Sequence, residues 1–347
     1  MRIFGHTRHL IAAAAMLLGL TLLSGCGTPA NHPHTFSGAT MGTSYNVKYA
    51  GDKENDLQTL VDERLSELNQ QLSTYQNDSV VSRFNAYRET DWFPVTQDTL
   101  YIVKQAQTIS TQSGGAFDIT VGPLVELWGF GAAATVSQPP ASSAIDEAAK
   151  RTGFNNIEWR DTPPALKKNN AAIAIDLSAI AKGYAVDEVS QLLESKGINN
   201  YLVEVGGEIR AAGFKPGNEL WRVAIERPAV GSRTVQMVLP LSDQAIATSG
   251  DYRNFFEYEG KRYSHSINPQ TGWPADTGVG SVSVVASTAI LADAWATALL
   301  VVGVDEAIRL SEKYGLAVHI IERKTDGDDI RLVETSSRAF KKLASQE

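Results

Sequence analysis

A chain of 347 residues with one cysteine, at position 26, has no disulfide to hold it together, so everything after that cysteine must be held by packing. The composition allows this. Hydrophobic residues make up 43% and charged residues 20% of the chain, and 28 Gly with 13 Pro is no low-complexity excess. The length suits about two domains or one large one. A formal charge of −8 and a pI near 5.4 argue against nucleic acid as a partner, because phosphate backbones are held by clustered Lys and Arg. A phosphorylated small ligand would then need a metal or local donors.

The cysteine closes a leader. Residues 1–25 carry Arg2 and Arg8, no acid, and an apolar run over 10–23 that is too short to cross a bilayer comfortably. The run ends in Leu23-Ser24-Gly25-Cys26, which resembles the lipobox of bacterial lipoproteins, and that resemblance implies lipidation of Cys26 and a membrane-anchored protein facing the periplasm. Gly27 stands where an Asp often retains lipoproteins at the inner membrane, so inner or outer membrane stays open. Residues 26–35 have no apolar period and read as a tether, including His32 and His34, which have no other metal ligands nearby. The domain is then 36–347.

Within it, alternation from Phe36 through Tyr45, Val47 and Tyr49 predicts a strand, and Leu57, Leu60, Val61, Leu65, Leu68 and Leu72 predict an amphipathic helix over 56–72. A helix capped by Thr96 should end before Gly114-Gly115. A short helix is expected at 145–151, between the Pro-Pro pairs at 139–140 and 163–164. Strands are expected at 171–175, 201–205, 221–226, 235–239 and 279–285, and helices at 182–196, 289–302 and 305–313. The Tyr258-Glu259-Gly260-Lys261 turn favours antiparallel pairing, so the fold class is α+β. The acidic run 326–329 reads as a solvated hairpin turn.

Familiar cradles are absent: there is no GxxxxGK[ST] loop, no strand-borne GxGxxG, no HExxH and no GxSxG. Short polar segments remain. Asp293 and Thr297 stand at i, i+4 on an otherwise apolar helix, where their oxygens need partners. A hard cation would serve; a dipole-facing Asp and a backbone-bonded Thr is the plainer alternative. Asp176 follows an apolar run and suits a turn, a helix cap or a ligand contact. Lys182, near a helix start, is unfavourable there unless an anion faces it, which points to a phosphate. His265 precedes an Asn-Pro-x-Thr-Gly turn, where a rigid loop can hold an imidazole toward a cleft.

In order, the segments MGTxY from Met41, STY…S..N from Ser73, GGAFDxTVGPL from Gly114, DLSAIAKGYAVD from Asp176, GGE from Gly206, ATSGDY from Ala247, HxINPxTGxP from His265 and ADAWATAL from Ala292 resemble those of the ApbE-type FAD:protein FMN transferases. The resemblance covers nearly the whole chain after the leader. It implies a two-lobed, T-fold-like architecture with FAD in the cleft between lobes. Met41, Tyr75, Ala116, Phe117, Asp118, Asp176, Lys182, Thr248 and Ile267 would contact FAD. Mg2+ would take the carbonyl of Ala179 and the side chains of Asp293 and Thr297. Many relatives carry a further Asp where this chain has Ala296, and water or phosphate would fill that position.

The reaction implied is magnesium-dependent transfer of FMN from FAD to a Thr or Ser hydroxyl of an acceptor protein, such as a membrane redox-pump subunit or an extracytoplasmic electron carrier. His265 and Asp293 are the candidates for taking the hydroxyl proton, with His265 favoured because a metal-bound carboxylate is the poorer base. Two alternatives share the motifs. An FAD pyrophosphatase would release free FMN and AMP without an acceptor, and a lipid-anchored flavin-binding protein would hold FAD without turnover.

Overall fold

A computed structural model describes residues 32–131, 136–228, 234–252, 254–326 and 329–345. The leader, Cys26 and the first part of the tether lie outside the described residues. The main sheet has eight strands in the order β1 (His34–Thr40), β2 (Thr43–Tyr49), β6 (Tyr201–Val205), β7 (Glu208–Ala212), β10 (Gln244–Gly250), β13 (Val279–Ala286), β14 (Ala317–Asp326) and β15 (Asp329–Ser336). A small sheet joins β3 (Phe93–Pro94), β5 (Ala165–Lys168) and β4 (Ile157–Arg160). Two hairpins pair β8 (Trp221–Glu226) with β9 (Val235–Leu241) and β11 (Phe255–Tyr258) with β12 (Lys261–Ser264). Neighbouring strands run antiparallel, including the pair closed by the expected turn at Tyr258 and Lys261. The chain is α+β, as read from the sequence.

The central strands of the main sheet are covered on both faces, and strand alternation divides their side chains between two cores, while the β1–β2 end keeps one face open to solvent at Ser44 and Lys48. Tyr45, Val47, Val203, Val205, Val284 and Ile320 point into the larger core, shared with the helices Leu57–Leu72, Gln97–Gln112, Ala181–Ser195 and Ala289–Val302. Their neighbours Leu202, Ile246, Val285 and Ala317 point the other way, against β8, β9 and the helix Arg338–Ala344. A third, smaller cluster of Leu124, Trp128, Ile145, Ala148 and Ile267 packs separately from these two.

Local signals decide the helix ends. The hydroxyl of Thr96 accepts from the Thr99 N–H at 3.2 Å, and Gly114 and Gly115 both take positive φ just after the helix it caps. The expected 145–151 helix occupies Ser142–Ala149. The expected strand at 171–175 does not form. Asn170 folds the chain into a turn by accepting from Ala172 N at 2.9 Å, and the Asn85 side-chain amide satisfies both backbone groups of Ile175, at 2.7 and 2.8 Å. A side chain thus replaces a ladder partner, and the strand of this region is β5 instead. Asp326 and Asp329 pair at the ends of β14 and β15, and the residues expected to turn between them lie outside the described residues.

Candidate active site

The docking of two helices builds one wall of the cleft. Asp176 accepts from Ser178 N at 2.9 Å, a side-chain turn that leads into the helix Ala181–Ser195. Its first turn presents Lys182 and Gly183 to the helix Ala289–Val302. A Cβ at position 183 would lie 2.3 Å from the Ala289 carbonyl oxygen and 2.8 Å from Asp293 Cβ, so only glycine permits this approach. The Gly183 N–H instead donates to Asp293 Oδ2 at 2.9 Å. One turn later Asp187 accepts from Ala289 N and Ile290 N, both at 2.9 Å, and so caps the second helix from outside, where Thr288 makes no side-chain cap.

Asp293 is buried, and its Oδ1 lies 3.9 Å from Lys182 Nζ, beyond hydrogen-bonding distance. Lys182 does have an anion before it, but that anion is the buried carboxylate of Glu208, whose Oε1 accepts at 3.0 Å. The phosphate inferred from the charge of Lys182 alone is therefore not required by it. Burial disfavours the ammonium, yet Asp293 and Glu208 outweigh that and hold its pKa above the ordinary lysine range. Burial pushes Glu208 up to about 7, against the pull of Lys182 and with Asp293 adding to the rise. Thr297 bonds to Ser249 on β10 at 3.1 Å rather than to its own helix, and the neighbouring Thr248 bonds to Ser283 at 2.7 Å.

The loops that carry Asp118 and His265 supply the opposite wall. Asp118 is buried and its carboxylate serves the loop itself: Oδ1 accepts from Thr120 N and Oγ1 at 2.7 and 2.6 Å, and Oδ2 from Phe154 N at 2.9 Å. Burial raises its pKa and these donors pull it back. Gln270 ties the His265 loop to this one by donating to Gly114 O at 2.6 Å. His265 Nδ1 is 3.2 Å from the Asn254 carbonyl oxygen. A carbonyl only accepts, so Nδ1 carries the hydrogen and Nε2 is left as the acceptor. Burial, with Lys182 adding, lowers the imidazole pKa below its ordinary value, and the ring is neutral at pH 7.

Between these walls lies a cavity of about 390 Å³, bordered by Tyr75, Ala116, Phe117, Asp118, Asp176, Ala179, Lys182, Thr248, His265, Ile267, Asp293 and Thr297. Met41 borders a second cavity of about 610 Å³, which shares Tyr75, Asp176, Ser178 and Lys182 with the first. The flavin- and metal-site residues read from the sequence thus border two adjoining cavities, while Cys26 lies outside the described residues. Met41 sits in the β1–β2 turn at φ 47°, and Tyr75 is 69% exposed where the cavities join. Sequence reasoning assigned no role to Glu208, Ser249, Gly183 or Asp187, although all four stand within its quoted motifs.

Among the described residues no three His, Cys, Asp or Glu cluster as a metal centre. Ala179, Asp293 and Thr297 border one cavity, with Asp293 Oδ1 no nearer than 3.9 Å to Lys182 Nζ, and two side-chain oxygens with a backbone carbonyl would be a sparse hard set that fits Mg2+, which keeps several waters or phosphate oxygens.

Fold and cleft together define an α+β protein with a cavity between a helix wall that carries Asp293 and Thr297 and a histidine-bearing loop. The sequence model of the ApbE family matches residues 41–320, and the chain belongs to that family. It is 42% identical to the FAD:protein FMN transferase of Vibrio cholerae, over 98% of this chain and all of that one, and 38% identical to that of Salmonella typhimurium, over 91% and 92%. Among solved structures, the flavin transferase ApbE of Vibrio cholerae superposes with a TM-score of 0.82 at 40% identity, covering 90% of this chain and 99% of that one. The apo flavinyl transferase ApbE of Pseudomonas stutzeri also gives 0.82, at 37% identity over 91% and 98%.

Proposed function

We propose that this protein transfers the FMN moiety of FAD to a serine or threonine hydroxyl of an acceptor protein and releases AMP. One observation carries the reading: Lys182, His265, Asp293 and Thr297 converge on a single trough, in a chain whose relatives over nearly its whole length are named FAD:protein FMN transferase. Met41, Tyr75, Ala116, Phe117, Asp118, Asp176, Thr248 and Ile267 would border the dinucleotide along the two cavities.

The acceptor oxygen bonds to the flavin-side phosphorus, the bond from that phosphorus to the bridging oxygen breaks, and the bridging oxygen departs with AMP. His265 takes the hydroxyl proton, since its ring is neutral and Nε2 is the free acceptor. Lys182 brings positive charge to the pyrophosphate. The Ala179 carbonyl, Asp293 and Thr297 would hold Mg2+, which when bound neutralises charge on the departing phosphate. Asp293, gripped at Oδ2 by Gly183, is assigned to the cation rather than to the proton.

Incubation with FAD, Mg2+ and an acceptor domain should give an acceptor band that fluoresces on a denaturing gel and disappears with EDTA. A dark band with accumulating AMP would replace this reading by the hydrolase, and FAD left intact would replace it by the binding protein. We further propose that Cys26 is lipidated and that the domain works at the periplasmic face of a bacterial membrane, on a redox-pump subunit or another extracytoplasmic electron carrier. Among the described residues no helix is long and apolar enough to cross a membrane. Release of the Cys26→Ser protein from the membrane fraction is expected; unchanged retention would refute the anchor.

A further inference from the structure

The Lys182 ammonium stands between two carboxylates, bonded to Glu208 at 3.0 Å and 3.9 Å from Asp293 Oδ1. Asp293 is also the only carboxylate in the proposed cation site, and an ammonium is a standing competitor for its open oxygen. Lys182 neighbours Gly183, whose N–H already grips the other oxygen of the same carboxylate, so a short swing of the side chain would turn the 3.9 Å ion pair into a direct hydrogen bond.

We propose that Glu208 is a positioning residue that holds the Lys182 ammonium off Asp293 and so keeps Asp293 Oδ1 open to a divalent cation. The inference rests on the cation reading given above. The turn before β7 is shaped for this task. Gly206 has φ +60°, and a Cβ there would lie 3.0 Å from Lys182 Cδ and 2.9 Å from Thr43 Cγ2, so the lysine stem runs across a bare backbone to reach Glu208. Glu208 is 5% exposed, and its second oxygen, Oε2, is buried with no hydrogen-bond partner. A buried carboxylate that leaves one oxygen unpaired is costly for stability alone, which argues that its use is to hold Lys182.

The test is a double-mutant cycle read by Mn2+ binding to the flavin-free protein, from the electron paramagnetic resonance of the unbound ion. Glu208→Gln is expected to weaken binding about tenfold or more, because Lys182 then pairs with Asp293, and Lys182→Met in that background to restore most of it. In the otherwise unchanged protein Lys182→Met should alter the affinity by less than about threefold, since its ammonium is already held away. If Lys182→Met strengthens Mn2+ binding by the same factor in both backgrounds, Glu208 acts only through its charge and the proposal falls. Strengthening of about tenfold by Lys182→Met alone would overturn it too, and that measurement stands even where Glu208→Gln fails to fold. Mn2+ binding absent from the unmutated protein would reject the cation reading itself, and this inference with it.

Discussion

The backbone N–H of Gly183 donates to Asp293 Oδ2 at 2.9 Å, across a helix crossing that leaves no space for a side chain at position 183. A methyl group there meets the Ala289 carbonyl and Asp293 Cβ, both on a rigid helix, so the two helices must separate. Gly183→Ala is expected to cost about 1–3 kcal/mol by overpacking, despite the better helix propensity of alanine. Flavin transfer should fall about a hundredfold, because displacement of a positioned group by an ångström is enough for that. Urea denaturation with a parallel transfer assay checks both, and an unperturbed variant would show that the crossing does not set the site.

Asp187 satisfies two N–H groups at the start of the helix that bears Asp293 and Thr297, and it also accepts from Arg210 at 3.1 Å. Its replacement by alanine removes the cap and strands part of a guanidinium. We expect Asp187→Ala to lose about 2–4 kcal/mol in chemical denaturation. Asp187→Asn, which keeps one acceptor oxygen, should lose less. Equal losses would mean that the charge matters and the cap does not.

His265 should give the reaction its acid limb. Its folded pKa lies below the ordinary histidine value of 6.5, so the rate should hold through neutral pH and fall only on acidification below that value. The sign for stability follows by linkage. The unfolded chain binds this proton more tightly, so the contribution of His265 to stability is present above about 6.5 and is lost as pH falls through the folded pKa. His265→Ala should slow transfer by about 100- to 10,000-fold and remove the acid limb. Full activity in that variant would exclude the histidine as base.

Lys168 is fully buried and donates to the carbonyls of Phe84 and Ile173, both at 2.9 Å, with no carboxylate among these partners. Burial, with repulsion from Arg88, lowers its pKa to about 8. The unfolded chain, with an ordinary lysine near 10.5, binds the proton more tightly, so this group should make the protein more stable as pH rises from about 8 to 10.5. Comparing urea midpoints of the unmutated protein and Lys168→Met across that range isolates the effect. Parallel curves would show that Lys168 keeps its ordinary affinity for the proton.

How far the sequence reaches depends on whether the partner of a residue is local. The helix over 57–72 and its buried face were legible because period alone determines them, and so was the cap at Thr96. The segment 171–175 misled because its alternation resembles a strand, whereas its hydrogen bonds go to the Asn85 side chain, 90 residues away. The site residues were legible as motifs and not as roles. Nothing in the Lys182-Gly183 pair announces that the glycine touches Asp293 or that the lysine is already matched by Glu208, since both facts arise from the packing of distant elements.

The pairing of β2 with β6 also bears on the order in which this chain can acquire its structure. Asn46 reaches Glu204 at 2.7 Å across 158 residues of sequence, and Asp293 and Thr297 are later still. Closing so wide a loop is entropically unfavourable before the contacts that reward it exist, and such topologies fold slowly. A chain emerging from its amino end therefore carries the β1–β2 ribbon with the β2 edge that will meet β6 still open while more than half of the protein is still to come. No early fragment can hold a working trough; the site arises late and all at once, and until then that edge is the surface a chaperone would need to shield.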